Sequence, residues 1–473
     1  MAPVDASAAM PLWPSCGQGS LLDSSNVQRG LSAELCGASG GAAGVATWQR
    51  WWILGTFSLL SVLQACTWNF YGPISVQVQA LQGWTLNEIA WVENSANIAM
   101  LVAVPLSALF VQQCGCRTPT LCCGALLLFC SALRCMSSGL AVSRLGLAVA
   151  VVAMTCNGLA AAWLNFGGPV ISGIWFPVAE RGLATAVISA STFLGQSFGF
   201  VLGPLVVPQP GVDGSTDATA VGLQRLCYGE LVMVAATLAA VAGHFPDRPA
   251  AAPSRSAEEG PSAETPTASA VGRLVFVSVV VSVPSAAFGA WVPVLTPNLA
   301  EFGITEVESA WVGCLMLLLG ALGGLAFGRL SDFFPGRLKE MLLCCLSLSA
   351  LCFGYFLLVV TGKLPGGALA LCISGSAGAF FVSGSYPLGF ELAVETGYPS
   401  IPEPIAASLL SFLQCLIQIL FLAASFLGST SSAWMNWLNV LASASLIVPL
   451  AVFQVRYPRL SVDGVALDLS RRN

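Results

Sequence analysis

About twelve apolar blocks of some 20 residues recur along this chain, the length that carries a helix across the ~30 Å hydrocarbon core of a bilayer. They lie near 52–78, 89–111, 118–137, 140–165, 183–207, 226–245, 274–297, 309–328, 341–361, 367–390, 405–427 and 434–455. Only 9% of the residues are charged, against roughly 25% in a soluble domain. So little polar surface cannot satisfy water, and most of the chain must face lipid. Transmembrane strands would show short alternating segments instead of continuous apolar runs. The sequence predicts an all-α membrane protein.

The chain also says one thing twice. GWTLNEIAWV at Gly83–Val92 returns as GITEVESAWV at Gly303–Val312, with six of ten positions identical at an offset of 220 residues. The same offset pairs Pro73 with Pro293, Trp68 with Phe288, Tyr71 with Trp291 and Gln112 with Asp332. Such internal symmetry is the mark of transporters built from two similar bundles, here six helices each. Locally, Thr85-x-x-Glu88 and Thr305-x-x-Glu308 have the spacing of capping boxes that open a helix.

Charge and composition set the expected organisation. If both termini are cytosolic, the inner segments hold fourteen Lys and Arg and the outer ends four, a strong positive-inside bias. Residues 1–50 read as a flexible cytosolic tail, 51–245 and 273–456 as the two bundles, 246–272 as a Pro/Ser/Glu-rich cytosolic linker, and 457–473 as a second tail. Leu21-Leu22 has the form of a sorting dileucine, although Gly17 stands where an acid is usual. The 17 cysteines lie mostly in apolar blocks, no CxxC occurs and there is one histidine, so no metal site or cofactor is expected. No nucleophile–base set or phosphate-binding loop appears, so no enzyme activity and no nucleic-acid partner is expected. The expected partners are a small solute, with or without protons, and the bilayer, and the protein is expected to be a monomer.

Polar residues inside apolar helices mark the candidate sites. Ser61, Gln64, Trp68, Tyr71 and Ser75 share one face of the first helix, and Phe288 and Trp291 are the seventh helix's counterparts. Aromatic faces opposed across a cavity can hold a flat ring or a cation, and ordinary helix packing would read the same way. Gln196, Gln414 and Gln418 can hydrogen-bond a solute or act as interhelical glue. Glu93, with Asn97 on its face, and Glu230 are candidate proton carriers, or carboxylates near wet helix ends.

The loop Gly328–Lys339, GRLSDFFPGRLK, resembles the signature loop of the major facilitator superfamily, which casts Asp332, Arg329 and Arg337 as an inner gate latch. In the first half, Gln112 replaces the acid. Pro387–Pro399 (PLGFELAVETGYP), Trp68-Asn69-x-x-Gly72-Pro73, Leu133-Arg134-Cys135, Tyr228-x-Glu230 and Trp434-x-Asn436-Trp437 resemble the family of choline and haem transporters named after the feline leukaemia virus subgroup C receptors. The similarity runs from about Arg50 to Tyr457 and is greatest to the lysosomal branch called disrupted in renal carcinoma 2. It implies a major facilitator fold with Trp68 and Trp291 about the ligand, Glu230 as the coupling acid, and Glu391 and Glu395 at a gate. The glutamines that help bind choline in relatives do not align cleanly. The function implied is proton-coupled export of pyridoxine from lysosomes. Facilitated choline or ethanolamine transport, and a non-transporting receptor on the same fold, remain as alternatives.

Overall fold

A computed structural model describes residues 43–140, 144–211, 215–262, 265–427 and 433–464. Leu21-Leu22 lies outside them. The chain divides into residues 1–49 and the unit Arg50–Asn473, which holds the helical bundle.

Twelve long helices follow one another: α1 Ala43–Trp68, α2 Leu86–Cys114, α3 Arg117–Gly139, α4 Arg144–Trp175, α5 Arg181–Val206, α6 Asp217–Gly243, α7 Ala268–Trp291, α8 Glu306–Phe333, α9 Leu338–Val360, α10 Ala368–Gly397, α11 Glu403–Leu427 and α12 Ala433–Ala444. Among the described residues, eleven spans are long and apolar enough to cross a membrane, and a bent pair makes a twelfth. The expected first span, 52–78, is that bent pair: α1 stops at Trp68, and Gly72–Gln82 resumes at 42° to it. The last span, Trp434–Val452, joins α12 to the short helix Ile447–Val452. Helices α4 and α10 run about three and about two turns past their expected ends because hydropathy marks where lipid stops, not where hydrogen bonding stops.

The repeat is visible as geometry. Both capping boxes form: the Thr85 and Thr305 hydroxyls accept from the Glu88 and Glu308 N–H at 3.2 and 3.3 Å, and the glutamates accept back from the threonine N–H. Gly83 and Gly303 precede them at φ 66° and 77°, left-handed turns that a side chain would strain. Trp91 and Trp311 are both about two-thirds exposed, on faces that lipid would cover. Pro73 and Pro293 open matching 3-10 turns, Gly72–Ile74 and Val292–Val294, where α1 and α7 break. Proline lacks the N–H that would continue the helix.

We refer to the face carrying the linker helix Arg255–Glu259 and the helix Pro458–Val462 as the linker side. There the halves meet closely: a Cβ on Gly182 of α5 would fall 2.2 Å from Ser331 Oγ of α8.

Candidate functional site

A central cavity lies between the halves. Of the expected substrate residues, Gln64 and Trp68 of α1, Gln196 of α5, Phe288 of α7 and Gln414 of α11 line it. They are joined by Asn97 of α2, Asn165 of α4, Tyr386 of α10 and Ser411 of α11. No Asp, Glu, Lys, Arg or His lines it among the described residues. Three buried polar atoms on its wall, Gln414 Oε1, Ser285 Oγ and Ser383 Oγ, have no protein hydrogen-bond partner. Buried polar groups are rarely left so, and a solute or water is the natural partner.

Tyr71 and Trp291 are not in the cavity. Tyr71 packs edge-on against Phe70, 4.9 Å between ring centres, with Trp84 beyond. Trp291 is wedged inside the second half between Phe353 and Phe356 of α9, and its Nε1 donates to Asn298 Oδ1 at 3.3 Å. For Tyr71 the reason is the break after α1. Projecting α1 past Trp68 as continuous helix puts Tyr71 on the cavity face, whereas the chain turns there and rotates it inward. The repeat itself holds: Trp68 and Phe288 both face the cavity, and Tyr71 and Trp291 both face their own half.

The cavity floor crosses the halves. Asn165 Oδ1 accepts from Tyr386 OH at 2.7 Å and from Ser411 Oγ at 3.0 Å. Sequence reasoning missed all three. An asparagine inside an otherwise apolar helix was the available signal.

Neither candidate proton carrier lines the cavity. Glu93 Oε1 accepts from Gly72 N–H at 2.7 Å, satisfying a donor that the α1 break frees. Glu230 is paired with Arg134 of α3 at 2.6 Å and also accepts from Thr67 of α1 (2.7 Å) and Ser131 (3.0 Å). The Arg134 guanidinium lies 3.5 Å from the Phe70 ring centre. This is a buried ion pair inside the first half, made through Arg134 Nη1 alone; Nε and Nη2 of Arg134 are buried without a hydrogen-bond partner among the described residues.

On the linker side, Asp332 spans the halves. Its two oxygens accept from the Gly182 and Leu183 N–H at 2.8 and 2.9 Å, the free donors at the start of α5. A carboxylate suits a helix N-terminus both as acceptor and as charge. Arg329 lies 3.4 Å from Asp332 and donates to Ala179 O at 3.3 Å. Glu391 of α10 accepts from Thr185 of α5 at 2.6 Å, and Glu395 accepts from Leu460 N–H at 3.2 Å. Arg337 is exposed at the start of α9, apart from this cluster. Asp332, Glu391 and Glu395 share a second cavity with Arg181 and Arg459.

Two pseudo-symmetric helical halves around a polar mid-bundle cavity, joined by polar contacts on one side, have the architecture of a membrane carrier. The Major Facilitator Superfamily profile matches residues 57–421. A solute carrier family 49 member 4 homolog of Xenopus laevis is 30% identical over 428 residues, 88% of this chain and 93% of the relative. The choline/ethanolamine transporter FLVCR1 of Felis catus is 26% identical over 387 residues, 80% of this chain and 67% of the relative. The transporter FucP in its outward conformation has the same fold at 12% identity, with a TM-score of 0.61 over 84% of this chain and 97% of that one. The human organic anion transporter MFSD10 does so at 16% identity and a TM-score of 0.61, over 86% and 99%. The chain belongs to the Major Facilitator Superfamily and, within it, to solute carrier family 49: it is a multi-pass membrane transporter, not an enzyme.

Proposed function

We propose that this protein carries a small, flat, uncharged or weakly cationic solute, and that pyridoxine, exported from lysosomes with protons, is the solute the cavity suits best. The observation behind this is the wall chemistry. Trp68 and Phe288 offer ring faces, while Gln64, Gln196, Gln414 and Asn165 offer amides that can both donate and accept. A pyridine ring with hydroxyl groups matches both. Without a cation on the wall, a phosphorylated vitamer would be buried without compensation, which disfavours it strongly. Choline or ethanolamine is the second reading. It is supported by the similarity to FLVCR1 and by Trp68, whose ring can hold a cationic head.

In this reading the linker side is cytosolic, in accord with the bias of Lys and Arg toward it. Proton coupling runs through acids beside the cavity. Glu93 is the better carrier, since Gly72 N–H is a neutral donor to it, whereas a proton on Glu230 must displace Arg134. Competition among pyridoxine, choline, ethanolamine and thiamine in proteoliposomes, with and without a pH gradient, tests the proposal. Pyridoxine flux driven by an inward-acid gradient and lost in Glu93→Gln is expected. Flux of choline indifferent to the gradient would establish the second reading, and binding without flux of any solute would leave a receptor.

A further inference from the structure

Residues 457–464 lie outside both six-helix halves, yet they are built into the joint between them. Asp463, its side chain 1% exposed, pairs with Arg181 at the start of α5 at 2.9 Å. It also accepts from the Ser256 N–H (2.8 Å) and hydroxyl (2.9 Å) on the linker helix. Four residues earlier, Arg459 pairs with Glu403, the first residue of α11, and lies 4.0 Å from Glu391 of α10. Leu460 N–H is held by Glu395. Arg459 is 2% exposed and fills the space above Gly173 of α4, where a Cβ would fall 2.6 Å from Nη2.

The internal symmetry says why something is needed there. Asp332 at the end of α8 anchors the start of α5. The symmetry-related contact would run from the end of α2 to the start of α11. At that position α2 carries Gln112, which is exposed and has no charge to offer. The start of α11 is bonded instead by Arg459 of the C-terminal segment.

We propose that the segment Tyr457–Gly464 is a moving bolt of the transport cycle, with Arg459 and Asp463 as positioning residues that hold the linker side shut in place of the missing half of the latch. Opening that side separates α4 and α5 from α10 and α11. The bolt is tied to both, so one set of ties must break. Three carboxylates, Glu391, Glu395 and Glu403, hold it to α10 and α11, whereas Asp463 supplies the described hydrogen bonds that hold it to α5 and the linker. It therefore travels with α10 and α11 and releases Arg181 and Ser256. Water reaches both freed charges only as the gap opens, so the pair resists partial opening.

The test reads gate opening without solute, so it stands whichever solute is carried, and resting on the carrier reading it fails separately from it. A reporter Ser331→Cys at the α8–α5 contact, with exposed Cys114, Cys122 and Cys344 replaced by Ser, is labelled by an impermeant maleimide from the linker side. Asp463→Asn is expected to raise the labelling rate about tenfold or more. Arg181→Asp and Asp463→Arg should each do the same, and their combination should return the rate to within about threefold of the parent. Unchanged labelling in Asp463→Asn, or a swap no better than the single changes, overturns the proposal. Ser256→Ala removes one hydrogen bond and no charge. If the charge variants do not fold, a rise of about threefold there supports the bolt and no rise overturns it.

Discussion

Replacing Asp332 by Asn isolates the latch. The carboxylate takes two backbone N–H groups at the start of α5, at 2.8 and 2.9 Å, with its side chain only 3% exposed. The amide keeps one acceptor and turns a donor toward the other N–H. One charge-assisted bond, worth about 1.5–3 kcal/mol, is lost and the second falls to the neutral range of about 0.5–1.5 kcal/mol. The closed linker side should lose about 3 kcal/mol, which at ~1.4 kcal/mol per tenfold shifts its equilibrium toward opening by about two orders of magnitude. Pulsed electron resonance between labels on exposed Cys122 of α3 and Cys344 of α9 reads the separation of the halves directly. A second, longer distance population should appear in Asp332→Asn without solute. An unchanged distribution would refute the reasoning, because it would mean the Asp332 bonds persist when the side opens or that other contacts carry the closure.

Other substitutions separate cavity from core. Trp68→Ala should abolish solute binding, measured by competition in proteoliposomes, while leaving thermal stability near the parent. Trp291→Ala should do the reverse: its ring is core, and Trp→Ala truncations cost about 3–5 kcal/mol, so thermal unfolding in detergent reports it. Arg134→Ala strands the Glu230 carboxylate in the first half and should cost about 3–5 kcal/mol, whereas replacing both by apolar residues of similar volume should be far milder; denaturation of the three variants side by side checks this. Thr305→Ala removes the hydroxyl of the second capping box and should lower stability by about 1 kcal/mol. The Glu308 carboxylate, outside the span, is held below its usual range by hydrogen bonds from the Thr305 hydroxyl and N–H. Its contribution to the cap is therefore present at neutral pH and lost only as pH falls through that lowered value, which a melting series in acid would follow.

Much of this protein was legible because its decisive terms are local. A run of about 20 apolar residues must be helix in lipid, since only hydrogen bonding within the segment satisfies its backbone there. Capping boxes at Thr85 and Thr305, left-handed turns at Gly83 and Gly303, and breaks at Pro73 and Pro293 each depend on a few neighbouring residues, so the 220-residue echo carried straight into matched geometry. The resemblance of Gly328–Lys339 to a transporter signature loop singled out Asp332, whose carboxylate meets the start of α5, and the resemblance to a transporter family followed from short motifs.

Facing was another matter. Tyr71 was assigned to the cavity by extrapolating a straight helix, and the turn after Trp68 rotated it into its own half; Trp291, assigned as its repeat-mate and by the family resemblance, packs into the second half. The Asn165–Tyr386–Ser411 floor joins residues up to 246 positions apart, and nothing in their spacing announces it. The pairing of Glu230, a candidate proton carrier, with Arg134 inside the first half was likewise not legible in their spacing. Residues 457–464 read as a tail because their own stretch is short and polar, and their burial comes entirely from what surrounds them. The sequence determined that this chain is a two-half helical carrier, because lipid leaves one solution for such segments. Which side chains see the solute, and which residues hold the gate, was decided by how separate helices rotate and pack against one another, a long-range balance that no local pattern encodes.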